Sequence, residues 1–448
     1  MFRTSNYREL VRLFFLFVLP SIGSQLLSGV YIIVDGYFVG RGVGASGLAA
    51  IGLAFPFTVF VTAIGAGIGV GGGALMSISV GRGRKFLAER ILGSMVSIML
   101  CASVLTAAIF TPLCGTLLSL YVVSDEVAAF AYTYAWILLL TSPAQLITMS
   151  MLGAVRNDGF PRKAMYIIVA GVVFNITFDW LLVIVYPFGI TGAAWATAMS
   201  QMLTAALLFA HFVMGKSHTR LLMKNLRPSK VLCRKILSMG ISPFGVQVAA
   251  ALTLIMHNWQ ALAYGGDLGV AAYAVVAYIV PVGVMLQEGI AEGIQPMVSY
   301  YYGASLHARK RITARLGFTS AICVGLVCSL LVYLSDMAVP NFFSLEGEVA
   351  RTAARGILLS APLFPFLGIA KVCASYFQAV GKMGNASLLT YGDPFILLPA
   401  ALWTLPIFFG LDGVWLAMPA ANIALFALFI IMWRREARVK LPLANSFI

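Results

Sequence analysis

The sequence predicts an all-α polytopic membrane protein: twelve transmembrane helices forming two six-helix bundles, related by a pseudo-twofold axis along the membrane normal. Three observations predict it. Of 448 residues, 60% are hydrophobic and only 10% charged, whereas soluble domains carry about 25% charged residues. Apolar runs long enough to cross a bilayer, about 20 residues each, recur from one end to the other. The second half also repeats the first at one constant offset.

The first run, LVRLFFLFVLPSIGSQLLSGVYIIVDGYFVG, is too long for a signal-peptide core and lacks a convincing cleavage site, so it reads as the first span. Further apolar runs place spans near 11–39, 47–80, 91–112, 127–152, 164–186 and 190–214. A second set falls near 236–264, 269–302, 314–334, 350–380, 385–409 and 412–432. The long polar connection GKSHTRLLMKNLRPSKVLCRK, 215–235, lies at the midpoint. It divides an N-terminal six-helix lobe (1–214) from a C-terminal one (236–433), which a basic tail (434–448) follows.

The repeat supports that division. An offset of 222 pairs Gly23 with Gly245, Gln25 with Gln247, Gly67 with Gly289, Gly71 with Gly293, Ser77 with Ser299 and Pro143 with Pro365, without a gap. Two halves with an even number of spans share one orientation, the parallel-repeat arrangement of secondary transporters.

The net charge of +14 could suggest nucleic acid, but 26 of the 30 Lys and Arg fall in alternate polar segments. These are the N-terminus (Arg3, Arg8, Arg12), 82–90, 156–163, 216–235, 309–315, Lys382 and 434–440. The intervening connections carry acids such as Asp125, Glu126, Asp267, Asp336 and Asp412. That asymmetry is the positive-inside pattern and puts both termini in the cytoplasm. No nucleic-acid partner is expected. The six cysteines lie in or beside apolar runs without a CxxC pair, as packing residues do.

Two motifs mislead. GAGIGVGGG (65–73) contains G-x-G-x-x-G, but it lies in a continuous apolar run with no preceding strand, so helix packing explains it. MGKS (214–217) resembles the end of a P-loop, yet Ala210 stands where the first glycine belongs. Four scattered histidines suggest no metal site, and no nucleophile has an adjacent base. The chain is not expected to be an enzyme, and no cofactor is expected.

The informative residues are acids at membrane depth, where a charge costs roughly 3 kcal/mol on insertion scales. Asn175 and Asp179, four apart in FNITFDW, share one helix face. Asp179 should lie on the order of 10 Å below the outer boundary, with Thr197 of the descending sixth span at similar depth. Asp35, near the outer end of the first span, belongs to the same layer. Hard cations such as Na⁺ prefer oxygen ligands, and a carboxylate in low dielectric takes up a proton more readily than in water. Two neighbouring carboxylates repel unless a cation or proton intervenes. Glu288 and Glu292, four apart on the eighth span, fall toward the cytoplasm. They suit either attraction of a cationic substrate or a gate paired with basic groups. Asp393 precedes Pro394 in YGDPF, where a freed backbone suits a cavity lining or an ordinary kink.

With these residues in order on the predicted spans, the chain resembles the multidrug and toxic compound extrusion (MATE) family over essentially its full length. The carriers are the six-plus-six layout, P-x14-D then G-x3-G on the first span, FVGRGVGASGLAAIGLAFP, and N-x3-D on the fifth span. That last motif resembles the DinF-type branch. The resemblance implies Asp35, Asn175, Asp179 and Thr197 as cation or proton ligands, with Na⁺ as the only metal in question, and Pro20 as a bending point. The second half departs from the pattern: the offset maps Asp35 onto His257 and Asp179 onto Ala401, so its acid pair is missing. The branch that uses C-lobe acids on the seventh and tenth spans is disfavoured, since His257 and Lys371 stand there.

The expectation is a secondary antiporter in a prokaryotic cytoplasmic membrane. It would export amphipathic or cationic organic compounds in exchange for H⁺ or Na⁺, with Glu288, Glu292 and Asp393 on a possible substrate path. Its partners would be the small organic substrate and membrane lipids, and its working unit a monomer. The alternatives are a lipid-linked precursor flippase of the wider superfamily and a gated channel.

Overall fold

The computed structural model describes residues 6–214, 217–335, 338–342 and 346–438. Arg3, Lys216, Asp336 and the tail beyond 438, all used in the charge argument, lie outside the described residues.

Among the described residues the chain is helical, without strands. The N-terminal half comprises α1 (Tyr7–Gly42), α2 (Ala45–Gly81), α3 (Lys85–Leu118), α4 (Asp125–Leu140), α5 (Ser142–Asn157), α6 (Pro161–Asp179) and α7 (Gly189–Val213). The C-terminal half comprises α8 (Lys230–Gly303), α9 (His307–Ser335), the short α10 (Ala338–Phe342), α11 (Gly347–Ser360), α12 (Leu363–Ala379), α13 (Met383–Gly392), α14 (Leu398–Phe409) and α15 (Leu411–Arg438). With no water in a bilayer to satisfy backbone groups, helices are the form apolar runs of this length must take. Helix α1 has 36 residues. At about 1.5 Å per residue it reaches well beyond a hydrocarbon core of about 30 Å. That excess explains helix ends lying outside the apolar runs. Asn6 caps α1, its Oδ1 accepting from the Glu9 amide at 2.9 Å.

Among the described residues, nine helices are long and apolar enough to span, or eleven if each bent pair counts as one span. The bent pairs are α4 with α5, at 55°, and α11 with α12, at 46°. They begin at Asp125 and Gly347 and end at Asn157 and Ala379, so the repeat offset relates one pair to the other. Helix α8 runs 74 residues through Gly266, whose φ of 55° suits glycine and is rarely adopted by L side chains. That break makes α8 two spans and the total twelve. The fourth and tenth spans are therefore bent, and the expected gap between the seventh and eighth is one glycine. Helix α6 continues as a π-helix over Trp180–Val185, and a second π-helix, Asp393–Leu397, joins α13 to α14.

The halves interlock at the end carrying the basic segments, called here the basic end. Leu10, Phe14 and Phe17 of α1 share a core with Ile290, Ile294 and Tyr301 of α8 and Phe377 of α12. Reciprocally, Leu232 and Ile236 at the start of α8 sit among Met76, Leu92 and Val155 of the N-terminal half. The glycines set the approach distance: a Cβ on Gly71 would lie 2.7 Å from the Gly240 nitrogen, and one on Gly293 2.7 Å from Val18 Cα. Gly71 and Gly293 are themselves related by the repeat offset. GAGIGVGGG is thus a packing surface used on two sides, since Gly69 and Gly73 admit Ser150 and Asn157 of α5.

The connection between the halves is docked rather than free. Asp158 Oδ1 accepts from the Thr219 amide at 2.8 Å and Oδ2 from that of His218 at 3.0 Å. Farther along, Ser97 donates to the Leu226 carbonyl.

Candidate functional site

Four oxygen-bearing residues from three elements converge inside the N-terminal half. Asp35 lies on α1, Asn175 and Asp179 on α6, and Thr197 on α7; all four are buried, Asn175 and Asp179 with 0% exposure. The Asp35 and Asp179 carboxyl groups face each other within electrostatic reach, with the Asn175 amide beside Asp179. Local sequence explains the convergence. The spacing of four stacks Asn175 under Asp179. Gly171, a further turn down, lets Ser200 and Thr204 of α7 close in. Ser200 donates to the Gly171 carbonyl at 2.7 Å. The helix changes to π geometry directly after Asp179.

The group is under-satisfied. Asp35 Oδ1, both Asp179 oxygens and both polar atoms of the Asn175 amide are buried without a hydrogen-bond partner among the described residues. Native structures leave few such atoms, and an unpaired buried group costs about 1–3 kcal/mol, more when charged. A donor set of carboxylates, an amide oxygen and a hydroxyl fits a hard cation, and the facing carboxyls fit a shared proton equally well. Among the described residues no three His, Cys, Asp or Glu gather as a transition-metal site would require.

Two tyrosines complete the pocket and escaped the sequence reading. Tyr31, one turn before Asp35 on α1, donates to Thr197 Oγ1 at 3.3 Å. Tyr134 of α4 is buried and within electrostatic reach of Asp35, Asp179 and Tyr31. Tyr31 had a readable signal, an i, i+4 relation to Asp35; Tyr134 had none.

The remaining candidate residues lie in two other places. Glu288 Oε1 accepts from Lys371 Nζ at 2.8 Å, within the C-terminal half. Glu292 pairs with Arg156 of α5, across the two halves. Asp393 opens the second π-helix, feels the charge of Lys371, and keeps its Oδ1 buried without a hydrogen bond among the described residues. Helix α1 runs unbroken through Pro20, whose carbonyl accepts from Ser24 Oγ at 2.8 Å. At the place matching Asp35, His257 is buried and stacked on Tyr273 at 5.5 Å.

Fold and site together define a two-lobed, multi-pass membrane transporter with a polar pocket in one lobe. The MatE family model matches residues 20–181 and 244–390, more than half of the chain and once in each lobe. The chain belongs to that family. It is 24% identical to the multidrug export protein MepA of Staphylococcus haemolyticus over 96% of this chain and 94% of that one. It is 22% identical to the MepA of Staphylococcus aureus over 94% and 93%. Among solved structures it resembles an outward-facing multidrug resistance MATE family transporter, with a TM-score of 0.90, 21% identity and coverage of 97% and 98%. A MATE structure in complex with MaL6 gives a TM-score of 0.88 at 22% identity, covering 95% of each chain.

Proposed function

We propose that the protein is a cation-coupled antiporter that exports amphipathic or cationic organic compounds by alternating access, with both termini in the cytoplasm. The observation that carries this reading is the pocket of Asp35, Asn175, Asp179 and Thr197, with five buried polar atoms left without a hydrogen bond among the described residues. H⁺ or Na⁺ entering from outside binds there and neutralises the facing carboxylates. Their attraction for a cationic compound then falls, and the compound leaves outward. Tyr31 and Tyr134 orient the pocket and exclude lipid. The inter-lobe contacts at the basic end keep the cytoplasmic side shut while the ion binds. Pro20 supplies a point where α1 can bend when those contacts part. The DinF-type branch is the one whose ligand pattern this pocket follows. A flippase with a strongly cationic cavity is disfavoured, since Lys371 is neutralised by Glu288.

Changing Asp179 to Asn should reduce efflux of a cationic dye from loaded cells to the background of cells lacking the protein, at unchanged membrane expression. Full retained efflux would remove the coupling site.

A further inference from the structure

Alternating access constrains the two glutamates of α8 differently, and the constraint follows from which lobe holds each partner. Glu288, Glu292, Gln295 and Ser299 follow one another at spacings of four, three and four, so they form one stripe along α8. Glu288 is bonded to Lys371 of α12, in its own lobe. Ser299 donates to the Ala379 carbonyl of the same helix at 3.1 Å. The two middle residues instead reach across: Glu292 to Arg156, and Gln295, whose Oε1 accepts from Asn157 Nδ2 at 2.9 Å. Asn157 is fixed from its own lobe, its Oδ1 accepting from Ser77 Oγ at 2.8 Å.

The repeat makes this crossing asymmetric. At the offset of 222, Ser77 corresponds to Ser299 and Asn157 to Ala379, while Gln295 corresponds to Gly73 and Glu292 to Val70. The N-terminal lobe carries its amide on α5 and leaves room at Gly73; the C-terminal lobe carries its amide on α8 and has alanine opposite. The two amides meet between the lobes, in a contact whose symmetry-related positions, Ala379 and Gly73, carry no amide. Beside them lies the inter-lobe ion pair, for which the symmetry-related positions, Val70 and Gln378, provide no second copy.

When the lobes part at the basic end, the bonds of Glu292 and Gln295 must break, whereas Glu288 keeps Lys371. Opening thus produces one uncompensated carboxylate, Glu292, in the cleft, about 6 Å along the helix from a neutral Glu288–Lys371 pair. The helix surface beside it, where Gly289 and Gly293 meet Ile22 and Val18, is apolar. We propose that Glu292 is the residue that receives the positive centre of the exported compound. Arg156 is the tethered cation that takes the same carboxylate when the basic end closes. The compound class is an organic monocation with an apolar body. A neutral compound cannot replace Arg156 electrostatically, and a dication would leave one charge unmatched. The proposal deepens the antiporter reading and rests on its alternating access. It separates Glu292, whose partner depends on conformation, from Glu288, whose partner does not.

The test is equilibrium binding to the full-length protein in lipid nanodiscs, without any ion gradient. Ethidium serves as fluorescent monocation and N-phenyl-1-naphthylamine as neutral amphipath. Removing the internal competitor with Arg156→Gln should tighten ethidium binding about ten-fold, and Glu292→Gln should weaken it by about the same factor, within the usual range of coupling between sites. The double variant Arg156→Gln/Glu292→Gln should bind as weakly as Glu292→Gln, and Glu292→Asp should recover most of the affinity. The neutral probe should change less than about two-fold throughout. Three results would overturn the proposal: no measurable ethidium binding to Arg156→Gln, unchanged ethidium binding on adding Glu292→Gln to it, or equal losses for both probes. If the binding pattern holds while gradient-driven efflux fails, only the antiport reading falls. If the pattern fails while efflux still depends on Asp179, only the present proposal falls.

Discussion

A carboxylate at membrane depth is conspicuous because nothing about helix packing requires it, and that is why Asp35 and Asp179 could be read from the chain. Asn175 was legible through its spacing from Asp179, and Thr197 through its depth on the sixth span, with its ligand role implied by family resemblance. Tyr31 carried one signal, its i, i+4 relation to Asp35, and Tyr134 carried none: among 17 tyrosines, a neutral side chain differs from a packing residue mainly by what it touches. Two consequences follow at this scale. Replacing Tyr31 by Phe removes a hydrogen bond worth about 1 kcal/mol, so dye efflux should fall by about three- to ten-fold without vanishing. Normal efflux in the Phe variant would make the Thr197 contact incidental. Replacing Asp179 by Leu exchanges an unsatisfied buried acid for an apolar group. The purified variant should melt a few degrees higher, by about 2–4 °C, while losing efflux. A lower melting temperature would mean the carboxylate holds the fold together, contrary to the pocket described here.

At the scale of the helix, the apolar runs located every span, and the repeat predicted that whatever one half does the other should do at the matching position. The paired bends of α4/α5 and α11/α12 obey that rule, but their existence was not readable. Thr141 and Ala361, where the chain turns, lie within stretches that each read as one span, the short dips at TSPAQ and SAP being too brief to divide them. The crossing of α1 into the opposite core was equally hidden, since apolar residues do not state their partner. Glycine was more informative. A valine at Gly71 would push its side chain into the α8 backbone near Gly240. Gly71→Val should therefore cost about 1–3 kcal/mol of stability and abolish efflux. Near-normal export by that variant would show that α2 and α8 do not need so close an approach. The break at Gly266 belongs to the same class of feature. An alanine forced to φ 55° and ψ −150°, a region essentially reserved to glycine, would lose about 1–3 kcal/mol, measurable as a lower melting temperature with the site chemistry untouched.

For the molecule as a whole, duplication supplied two similar lobes and divergence gave them different charges. The N-terminal lobe keeps Asp35 and Asp179 where the other has His257 and Ala401. The C-terminal lobe keeps Glu288 and Lys371 where the first has Ala66 and Met149. On the function proposed above, the ion pocket lies in the N-terminal lobe and Glu292 on the C-terminal one, so ion and compound influence each other across the cleft between the lobes. That division makes energy coupling the central claim, and purified protein in liposomes tests it most directly. With a cationic dye at equal concentration on both sides, a proton or sodium gradient is imposed in turn. The account predicts uphill dye movement opposite to one of these ion gradients, absent with Asp179→Asn. Dye that only equilibrates, whatever ion gradient is applied and whichever residue stands at 179, would contradict it.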